Sequence, residues 1–477
     1  MRTNNFTFID LFAGLGGFHI ALSQLGGKCV FASELKEDLR KLYVINYPEM
    51  EGDTQTGIRK IEGDITKVNL NKIPQHDVLC AGFPCQPFSQ AGKQEGFDDK
   101  VRGNMFDYIC KVITAQAENK PRLLLLENVA NLKNHDKGRT WSTIRAKLDE
   151  LGYKVFEEIL SPHQYGYPQH RKRIYIVGIR KEDIADKEDD WKFVFPIEHG
   201  KTCDIKEIVN ENDVNITPLS LKTHYQLKVW QSFIDELVCR GKEIPSFPIW
   251  AMEFGADYPY EEKAPSFMDR ESLLGKFGKL GWKINGPSFR DCIQQLPIYA
   301  QTDTQETFPS WKIRYIQQNR NFYRDNEEWL KEWVEKIKDW DNSHQKLEWN
   351  CGKEEDKALT NKIIQYRASG IRVKLPTYSP ALNLVGTQIP ILPWVKLPEQ
   401  CIPHYSEDDL SKYGLTREDI SHGRYLSIKE AADLQGMKHL RFDRLSLTRS
   451  YEALGNAVNT QVVNKIAKKL IKEYCHE

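Results

Sequence analysis

Phe8-Ile9-Asp10-Leu11-Phe12-Ala13-Gly14-Leu15-Gly16-Gly17-Phe18 joins a short apolar run to a glycine-rich turn and the start of an amphipathic segment. The pattern predicts a strand, a tight turn and a helix in that order. Glycines in such a turn let the backbone approach a ligand closely, and the first turn of the helix has free N–H groups. The stretch therefore predicts a ligand-binding loop at the end of the first strand of an α/β sheet.

Short apolar runs alternate with helical segments from Phe6 to about Arg180. Further strands are predicted at 28–32, 77–81, 122–126 and 173–179, and helices at 18–25 and 38–43. Strands that alternate with helices indicate a parallel sheet with helices packed around it. The expected fold class is α/β, with a doubly wound and mostly parallel sheet.

Two acidic residues follow predicted strands in this region. Glu34 lies at the end of the second strand, where an acid can accept hydrogen bonds from a ribose diol. Asp64, in Gly63-Asp64-Ile65, could bind an adenine amino group or could simply cap a loop. A glycine turn with such acids fits a nicotinamide dinucleotide or S-adenosylmethionine, and the turn alone could also be a tight turn without a ligand.

The segment Gly82-Phe83-Pro84-Cys85-Gln86-Pro87-Phe88-Ser89 places a cysteine between two prolines, just past an apolar strand. A free cysteine is usually a small buried hydrophobe. Here the proline rings restrict the backbone on both sides of the cysteine. A thiol held in this way at a strand end is placed for nucleophilic attack.

The middle of the chain lacks the alternating pattern. Residues 181–190 form a charged linker, and the region 181–423 is rich in Trp, Tyr and Pro. One helix is predicted at about 325–340, where Trp329, Trp333, Ile337 and Trp340 recur at helical spacing and are expected in a core. The α/β pattern returns near Tyr425, with a capping-box helix from Ser427 and a last helix at 458–474. We therefore expect one domain from 1–180 and 424–477, and an insert at 181–423.

Composition narrows the function classes. The chain has 477 residues, with 67 Lys and Arg against 67 Asp and Glu, so no overall basic charge argues for nucleic acid. Its ten cysteines show no CxxC pair, which favours free thiols in a reducing cytoplasm over disulfides or a metal site. The N-terminus is unlike a signal peptide, and no apolar run is long enough to cross a membrane.

Five segments, taken together and in order, resemble the cytosine-5 DNA methyltransferase family. They are residues 10–17, the nucleophile loop 82–89, Glu127-Asn128-Val129, Gln169-His170-Arg171-Lys172-Arg173 and Gly455-Asn456-Ala457-Val458. The resemblance covers roughly 1–180 and 424–477. It implies a Rossmann-like S-adenosylmethionine-dependent methyltransferase domain with a smaller target-recognition domain, the latter formed by the insert.

The resemblance implies a catalytic role for four residues. Cys85 would attack C6 of cytosine, because a thiolate is a strong nucleophile. Glu127 would hold a proton at N3, since burial at a strand end raises a carboxyl pKa; a salt-bridged acid is the alternative. Arg173 would donate to cytosine O2 and Arg171 would support Glu127 and the nucleophile loop. Two solvated arginines are the alternative for that pair.

S-adenosylmethionine is the implied methyl donor, and no metal is expected. The residues expected to line its site are Phe12, Ala13, Gly14, Leu15, Gly16, Glu34, Asp64, Ile65, Pro84 and Asn456. Phe12 would stack on the adenine, and Pro84 would contribute to both the cofactor and cytosine pockets.

The implied substrate is a cytosine flipped out of double-stranded DNA. The resemblance further implies a prokaryotic restriction–modification role with a cognate restriction endonuclease, a monomer in the cytoplasm and no membrane partner. Candidate DNA contacts are the basic stretch 367–374 and the cluster Arg441, Arg444 and Arg449, each of which could equally be a solvated surface patch.

Three alternatives are weighed. An RNA cytosine-5 methyltransferase shares the catalytic parts, but the large insert and Gln86-Pro87-Phe88-Ser89 after Cys85 favour DNA. A nicotinamide-dependent dehydrogenase would not need the segments around Cys85 and Glu127. A catalytically inactive DNA-binding protein would not need Cys85, Glu127 and Arg173 together.

Overall fold

The structure, a computed structural model, describes residues 6–52, 60–84, 105–187, 192–198, 200–302, 304–383 and 385–474. Cys85 and the rest of the predicted nucleophile loop, residues 86–89, lie outside this part of the chain. The described residues form strands and helices throughout, and no helix among them is long and apolar enough to cross a membrane.

The strands are, in chain order, β1 (Phe6–Leu11), β2 (Gly27–Ser33), β3 (Ile61–Glu62), β4 (Val78–Gly82), β5 (Leu123–Val129), β6 (Tyr153–Leu160), β7 (Gln169–His170), β8 (Arg173–Arg180), β9 (Ile249–Trp250), β10 (Lys346–Asn350), β11 (Ile363–Arg367), β12 (Gly370–Lys374), β13 (Ser379–Pro380), β14 (Ile391–Lys396) and β15 (His422–Tyr425).

The α-helices are α1 (Gly17–Ser23), α2 (Glu37–Asn46), α3 (Met105–Ala115), α4 (Arg139–Glu150), α5 (Leu221–Cys239), α6 (Arg270–Leu273), α7 (Phe289–Gln294), α8 (Ser310–Arg324), α9 (Glu327–Glu335), α10 (Glu407–Lys412), α11 (Arg417–Ile420), α12 (Ile428–Leu434), α13 (Leu447–Asn456) and α14 (Thr460–Tyr474).

The chain divides into two compact units. The first comprises Met1–Val209, Thr377–Thr387 and Ile428–Glu477, and the second comprises Asn210–Pro376 and Gln388–Ser427. The first unit thus continues past residue 180, where the sequence pattern changes. It also includes Thr377–Thr387, a short segment of the predicted insert.

The first unit is built on a seven-stranded sheet in the order β3-β2-β1-β4-β5-β8-β6. All neighbouring pairs are parallel except those of β8, which runs antiparallel to both β5 and β6. The central strands β4 and β5 are apolar on both faces, as expected for a sheet covered on both sides. The predicted α/β fold class with a mostly parallel, doubly wound sheet is confirmed.

Two hydrophobic clusters cover the two faces of this sheet, since alternate residues of β1 belong to different clusters. Phe8 packs with residues of α1 and α14, such as Phe18 and Ile466. Ile9 packs with residues of α3 and α4, such as Ile109 and Ile144. Side chains of a strand alternate between faces, so β1 ties both layers together.

The second unit contains a six-stranded sheet in the order β15-β14-β11-β12-β10-β9. Most of its pairs are antiparallel, and only β10 and β12 run parallel. The predicted helix at 325–340 is shorter than expected: α9 ends at Glu335, and the chain continues to Trp340 in turns closed by hydrogen bonds between residues three apart. The aromatic stripe on this segment is buried in the core, as predicted.

Candidate active site

The glycine turn and the last described residues before Cys85 lie at the same edge of the first sheet. β2 and β3 continue from β1 in one direction, whereas β4 pairs with the opposite side of β1. Ligands of doubly wound sheets bind at such a switch point, outside the carboxyl ends of the strands. The turn after β1 and Phe83-Pro84 after β4 both begin at this point.

The turn after β1 is tightly wound. Phe12, Gly14 and Gly16 all have positive φ, at 58°, 55° and 80°. A Cβ on Gly16 would lie 2.6 Å from the ring of Tyr47, whose hydroxyl donates to the carbonyl of Leu15 at 2.9 Å. The turn therefore requires glycine at position 16, both for its backbone conformation and for the close approach of Tyr47.

Glu34 is fixed by the backbone around it. Its Oε2 accepts from the Gly14 N–H at 2.9 Å, and its Oε1 accepts from the Lys36 N–H at 2.9 Å. The residue is only 9% exposed. A carboxylate has about four acceptor positions, so this side chain retains the capacity to accept from two vicinal hydroxyls.

The other expected cofactor residues fall into three groups. Ala13, Leu15 and Ile65 are buried, and Phe12 packs partly against the core. Asp64 Oδ1 accepts from the N–H and hydroxyl of Thr66 at 3.0 and 2.8 Å, which is the loop-capping alternative. Pro84 and Asn456 are exposed, and Asn456 donates to the Glu452 carbonyl at 2.8 Å.

Asp10, in β1, was not singled out by the sequence analysis. It is fully buried, and burial raises the pKa of its carboxyl well above the usual range, with a smaller contribution from Glu34. The signal in the sequence was an acid inside an apolar strand. Asp10 therefore retains its proton to a higher pH than an exposed aspartate does.

Glu127 lies near the end of β5, beside Gly82 of β4 and Tyr175 of β8 in the strand register. Its Oε1 is 3.2 Å from Nε of Arg173, yet burial outweighs the nearby cations and raises the pKa of the carboxyl. Arg173 and Arg171 both act in the opposite direction. The carboxyl thus retains its proton to a higher pH than an exposed glutamate does.

Arg171 is 2% exposed, which excludes the alternative of a solvated charge. Its Nη2 donates to the Ala457 carbonyl at 2.8 Å, and Ser161 Oγ accepts from its backbone N–H at 2.9 Å. Burial, together with the charge of Arg173, lowers the pKa of Arg171 to about 9. Its Nε and Nη1 have no hydrogen-bond partner among the described residues.

Asn128 connects this carboxyl to the strand that leads to Cys85. Its Nδ2 donates to the Phe83 carbonyl at 3.1 Å, and its Oδ1 accepts from the Val129 N–H at 2.8 Å. The side chain is 2% exposed. Asn128 thereby fixes the backbone two residues before the cysteine, a positioning role that the sequence suggested only through its place after Glu127.

Two of the three candidate DNA-contacting arginines near the C-terminus, Arg441 and Arg449, are engaged in ion pairs. Arg449 Nε lies 2.6 Å from Asp38 Oδ2, and its Nη1 lies 2.7 Å from Glu452 Oε1. Arg441 Nε donates to Asp443 at 2.7 Å. Within the described residues of the chain, no group of three or more His, Cys, Asp and Glu side chains is arranged to hold a metal ion.

A family model described as C-5 cytosine-specific DNA methylase matches residues 6–247, which is just over half of the chain. Among curated proteins, the chain is 40% identical over 229 residues to the Type II methyltransferase M.DsaV of Dactylococcopsis salina, covering 48% of this chain and 61% of that protein. It is 42% identical over 224 residues to the Type II methyltransferase M.MspI of Moraxella sp, covering 47% and 48%.

A third relative, the Type II methyltransferase M.HhaI of Haemophilus parahaemolyticus, is 43% identical over 175 residues, covering 37% of this chain and 49% of that protein. The chain thus spans about half the length of the curated relatives it matches. Among solved structures, the methyltransferase EhMeth of Entamoeba histolytica superposes with a TM-score of 0.51 at 12% identity, covering 98% of this chain and 99% of that one. That likeness concerns the fold.

Proposed function

The chain belongs to the C-5 cytosine-specific DNA methylase family, and from this premise we propose that it transfers a methyl group from S-adenosylmethionine to C5 of a cytosine in double-stranded DNA. The observation that carries the proposal is the group at the carboxyl edge of β5. There a buried Glu127 with a raised pKa lies beside Arg171 and Arg173. The next residue, Asn128, donates a hydrogen bond to the Phe83 carbonyl, two residues before Cys85.

The edge of the sheet fits the methyl donor. Glu34 retains acceptor capacity for the two hydroxyls of a ribose, and the glycine turn leaves open space at Gly14, where a Cβ would meet nothing within 4 Å. Phe12 supplies an aromatic ring beside this turn, and Pro84 is exposed on the neighbouring strand end. When bound, S-adenosylmethionine supplies an electrophilic methyl group.

Cytosine C5 is a weak nucleophile, so the chain must activate it. The Cys85 thiolate adds to C6, and the electrons of the C5–C6 bond move toward N3 while the Glu127 carboxyl gives its proton to N3. C5 would then behave as an enamine carbon and accept the methyl group as its bond to the sulfur of S-adenosylmethionine breaks, and N3 would return its proton to the Glu127 carboxylate. Loss of the C5 proton to a base, for which water is the candidate, and departure of the thiolate restore the aromatic ring.

Arg173 and Arg171 serve different parts of this reaction. Arg173 is the donor to cytosine O2, and its ion pair keeps the Glu127 side chain in one orientation. Arg171 is a positioning residue: the Ala457 carbonyl accepts from its side chain and Ser161 Oγ accepts from its backbone N–H. Its Nε and Nη1, which have no hydrogen-bond partner among the described residues, are the groups we propose to hold the nucleophile loop. Since a stacked cytosine cannot reach these groups, the base must flip out of the duplex.

DNA is favoured over RNA as the substrate. The matched family is described as acting on DNA, and the three relatives are named Type II methyltransferases. We further propose that the chain is the modification enzyme of a restriction–modification system with a cognate endonuclease, and that it acts as a monomer whose second unit recognises the target sequence.

The test is a methyl-transfer assay with labelled S-adenosylmethionine and unmethylated plasmid, followed by conversion sequencing of the product. The expected result is 5-methylcytosine at one short recurring sequence. Label on RNA but not on DNA would replace this proposal with the RNA-methyltransferase alternative, and label on neither would refute catalysis.

A further inference from the structure

Tyr47, the residue that follows α2, contacts the glycine turn after β1, where the methyl donor is proposed to bind. Its hydroxyl donates to the Leu15 carbonyl at 2.9 Å and lies 3.4 Å from the Gly16 carbonyl oxygen. Its ring lies 2.6 Å from the position that a Cβ on Gly16 would take. Tyr47 belongs to the hydrophobic core of the first unit, so the turn receives this hydrogen bond from the interior of the protein.

Other backbone groups of the turn are held by backbone partners. The Ala13 N–H donates to the Ser33 carbonyl at 2.8 Å, and the Ala13 carbonyl accepts from the Gly16 N–H at 2.8 Å. The Gly16 carbonyl accepts from the Ile20 N–H at 2.9 Å, which is the first hydrogen bond of α1. The Leu15 carbonyl differs from these groups, because its donor is a side chain 32 residues further along the chain.

His19, in α1, fixes the ring of Tyr47. The two rings are stacked, with their centres 4.0 Å apart and their planes inclined by 15°. Both nitrogens of the imidazole have partners, since Nδ1 lies 2.8 Å from the Tyr43 hydroxyl and Nε2 lies 3.1 Å from Glu49 Oε1. Burial, opposed by Glu49, lowers the pKa of His19 and favours the neutral imidazole. These partners assign its proton to Nε2, which donates to Glu49 while Nδ1 accepts from Tyr43.

The peptide between Leu15 and Gly16 lies in a turn that is rich in glycine. Gly14 and Gly16 have positive φ, at 55° and 80°, and glycine can leave such conformations without a steric penalty. A buried carbonyl without a donor is costly, so loss of the Tyr47 hydroxyl would favour rotation of this peptide. The hydroxyl therefore fixes the direction of the Leu15 carbonyl, which the glycines themselves do not constrain.

We propose that Tyr47 is a positioning residue for S-adenosylmethionine, whose hydroxyl holds the glycine turn in the conformation that binds the methyl donor. The choice of this ligand rests on the proposed function. Tyr47 acts through the Leu15 carbonyl and does not touch the reacting atoms. A protein whose binding-competent conformation is only partly populated binds its ligand more weakly by that fraction. Loss of the hydroxyl therefore weakens binding of the donor, whereas saturation with the donor restores the conformation and the rate.

The test is Tyr47→Phe, which removes the hydroxyl and retains the ring beside Gly16. The dissociation constant of S-adenosylmethionine, measured by isothermal titration calorimetry with the full chain, is expected to rise roughly 3–10-fold for the loss of one buried hydrogen bond. The Michaelis constant for S-adenosylmethionine in methyl transfer to plasmid DNA should rise by a similar factor. The kcat should stay within about twofold of the wild-type value, because the lost interaction contributes equally to the ground state and the transition state.

Tyr153→Phe is the matched control. Tyr153, in β6, is also buried, and its hydroxyl donates to the Pro121 carbonyl at 2.7 Å. Both variants lose one buried hydroxyl that is bonded to a backbone carbonyl, so both should lower the midpoint of thermal unfolding. Only Tyr47→Phe should raise the dissociation constant of S-adenosylmethionine. A wild-type dissociation constant in Tyr47→Phe, or an equal rise in both variants, would overturn the proposal.

The outcome for Tyr47 can be separated from that of the proposed function. A chain that methylates DNA, with equal donor affinity in wild type and Tyr47→Phe, retains its proposed function and refutes the positioning role. A chain that binds S-adenosylmethionine but methylates no DNA loses the proposed function, and weaker binding by Tyr47→Phe would still support the role of Tyr47. Amide hydrogen exchange of residues 12–18 without ligand gives a second measurement, since only Tyr47→Phe should speed exchange there. Unchanged exchange in Tyr47→Phe would contradict the proposal.

Discussion

The surroundings of Glu127 determine the pKa of its carboxyl. Burial raises this pKa, and Arg173 and Arg171 act to lower it. As the pH rises through that raised pKa, the carboxyl loses the proton that the proposed mechanism delivers to cytosine N3, so turnover should fall on the alkaline side. We expect Glu127→Gln to reduce turnover by roughly 10²–10⁴-fold, the usual range for a lost general acid. The variant should also lose this alkaline decline, as measured in a pH profile of single-turnover methyl transfer.

The control for Glu127 is Glu157→Gln, an acid on β6, which is separated from β5 by β8; Glu157 pairs with Lys133 at 3.4 Å. It should keep the wild-type pH profile. Near-normal turnover of Glu127→Gln would remove this residue from the proposed chemistry at N3.

Cys85 is predicted to be the nucleophile from the sequence alone, because it lies outside the described residues. Cys85→Ala should lose turnover to background, since no other thiol would form the bond to C6, while binding of duplex DNA is retained. Methyl transfer and anisotropy on the same preparation measure both properties. Cys239→Ala, at an exposed free cysteine, should keep full turnover; methyl transfer by Cys85→Ala above background would contradict the covalent mechanism.

At the scale of elements, α13 is tied to the start of α2 by ion pairs. Arg449 bridges Asp38 and Glu452, and Lys36 Nζ lies 3.0 Å from Glu452. The pairing with Arg449 lowers the pKa of Asp38. This stabilisation is therefore present at neutral pH and is lost as the pH falls through the lowered carboxyl pKa.

Because α13 ends at Asn456, we expect Arg449→Met to shift this proposed cofactor contact. The Michaelis constant for S-adenosylmethionine should rise several-fold with little change in kcat, and the free energy of unfolding should fall by about 1 kcal/mol at neutral pH. Arg441→Met is the matched control, since Arg441 pairs with Asp443 two residues away. Equal effects of the two variants on the Michaelis constant would show that the bridge has no positioning role.

The elements of the first unit were predictable where a continuous apolar run specified a strand. β1, β4, β5 and β8 all overlap the predicted strands, because their buried residues are contiguous in sequence. β6 was missed, since four of its eight residues in a row are only half-buried and mask the alternation. The polar contacts of Asn128 and Ser161 could not be predicted either, because their partners are fixed by the packing of separate strands.

At the scale of the whole molecule, the sequence predicts an insert at 181–423 but does not predict the architecture of the second unit, Asn210–Pro376 and Gln388–Ser427. The second unit pairs short strands that are far apart in the chain, such as the two-residue β9 with β10. Such pairings depend on long-range packing, which local periodicity does not report. The segment Thr377–Thr387, which lies in the first unit, had no signal of its own, because its pairing with β7 is one short parallel contact.

Ligand binding to the folded chain tests the cofactor class for the molecule as a whole. A ligand that binds only the folded state stabilises it by about 2.7 kcal/mol at 100-fold its dissociation constant. We expect S-adenosylmethionine, but not NAD, to raise the midpoint of thermal unfolding. Because Glu34, which is fixed by the Gly14 N–H, is the proposed acceptor for the ribose hydroxyls, Glu34→Ala should abolish that rise.

Glu37→Gln serves as the control, since Glu37 is an exposed acid paired with Lys41 and should leave the rise intact. If NAD rather than S-adenosylmethionine raised the midpoint of thermal unfolding of the wild-type chain, the glycine turn would bind a dinucleotide. The proposal of methyl transfer would then be refuted. If S-adenosylmethionine shifted wild type and Glu34→Ala equally, the donor would bind the chain without the carboxylate at the end of β2. In that case the proposal that the ribose binds at this edge of the sheet would be refuted, while S-adenosylmethionine would remain the proposed methyl donor.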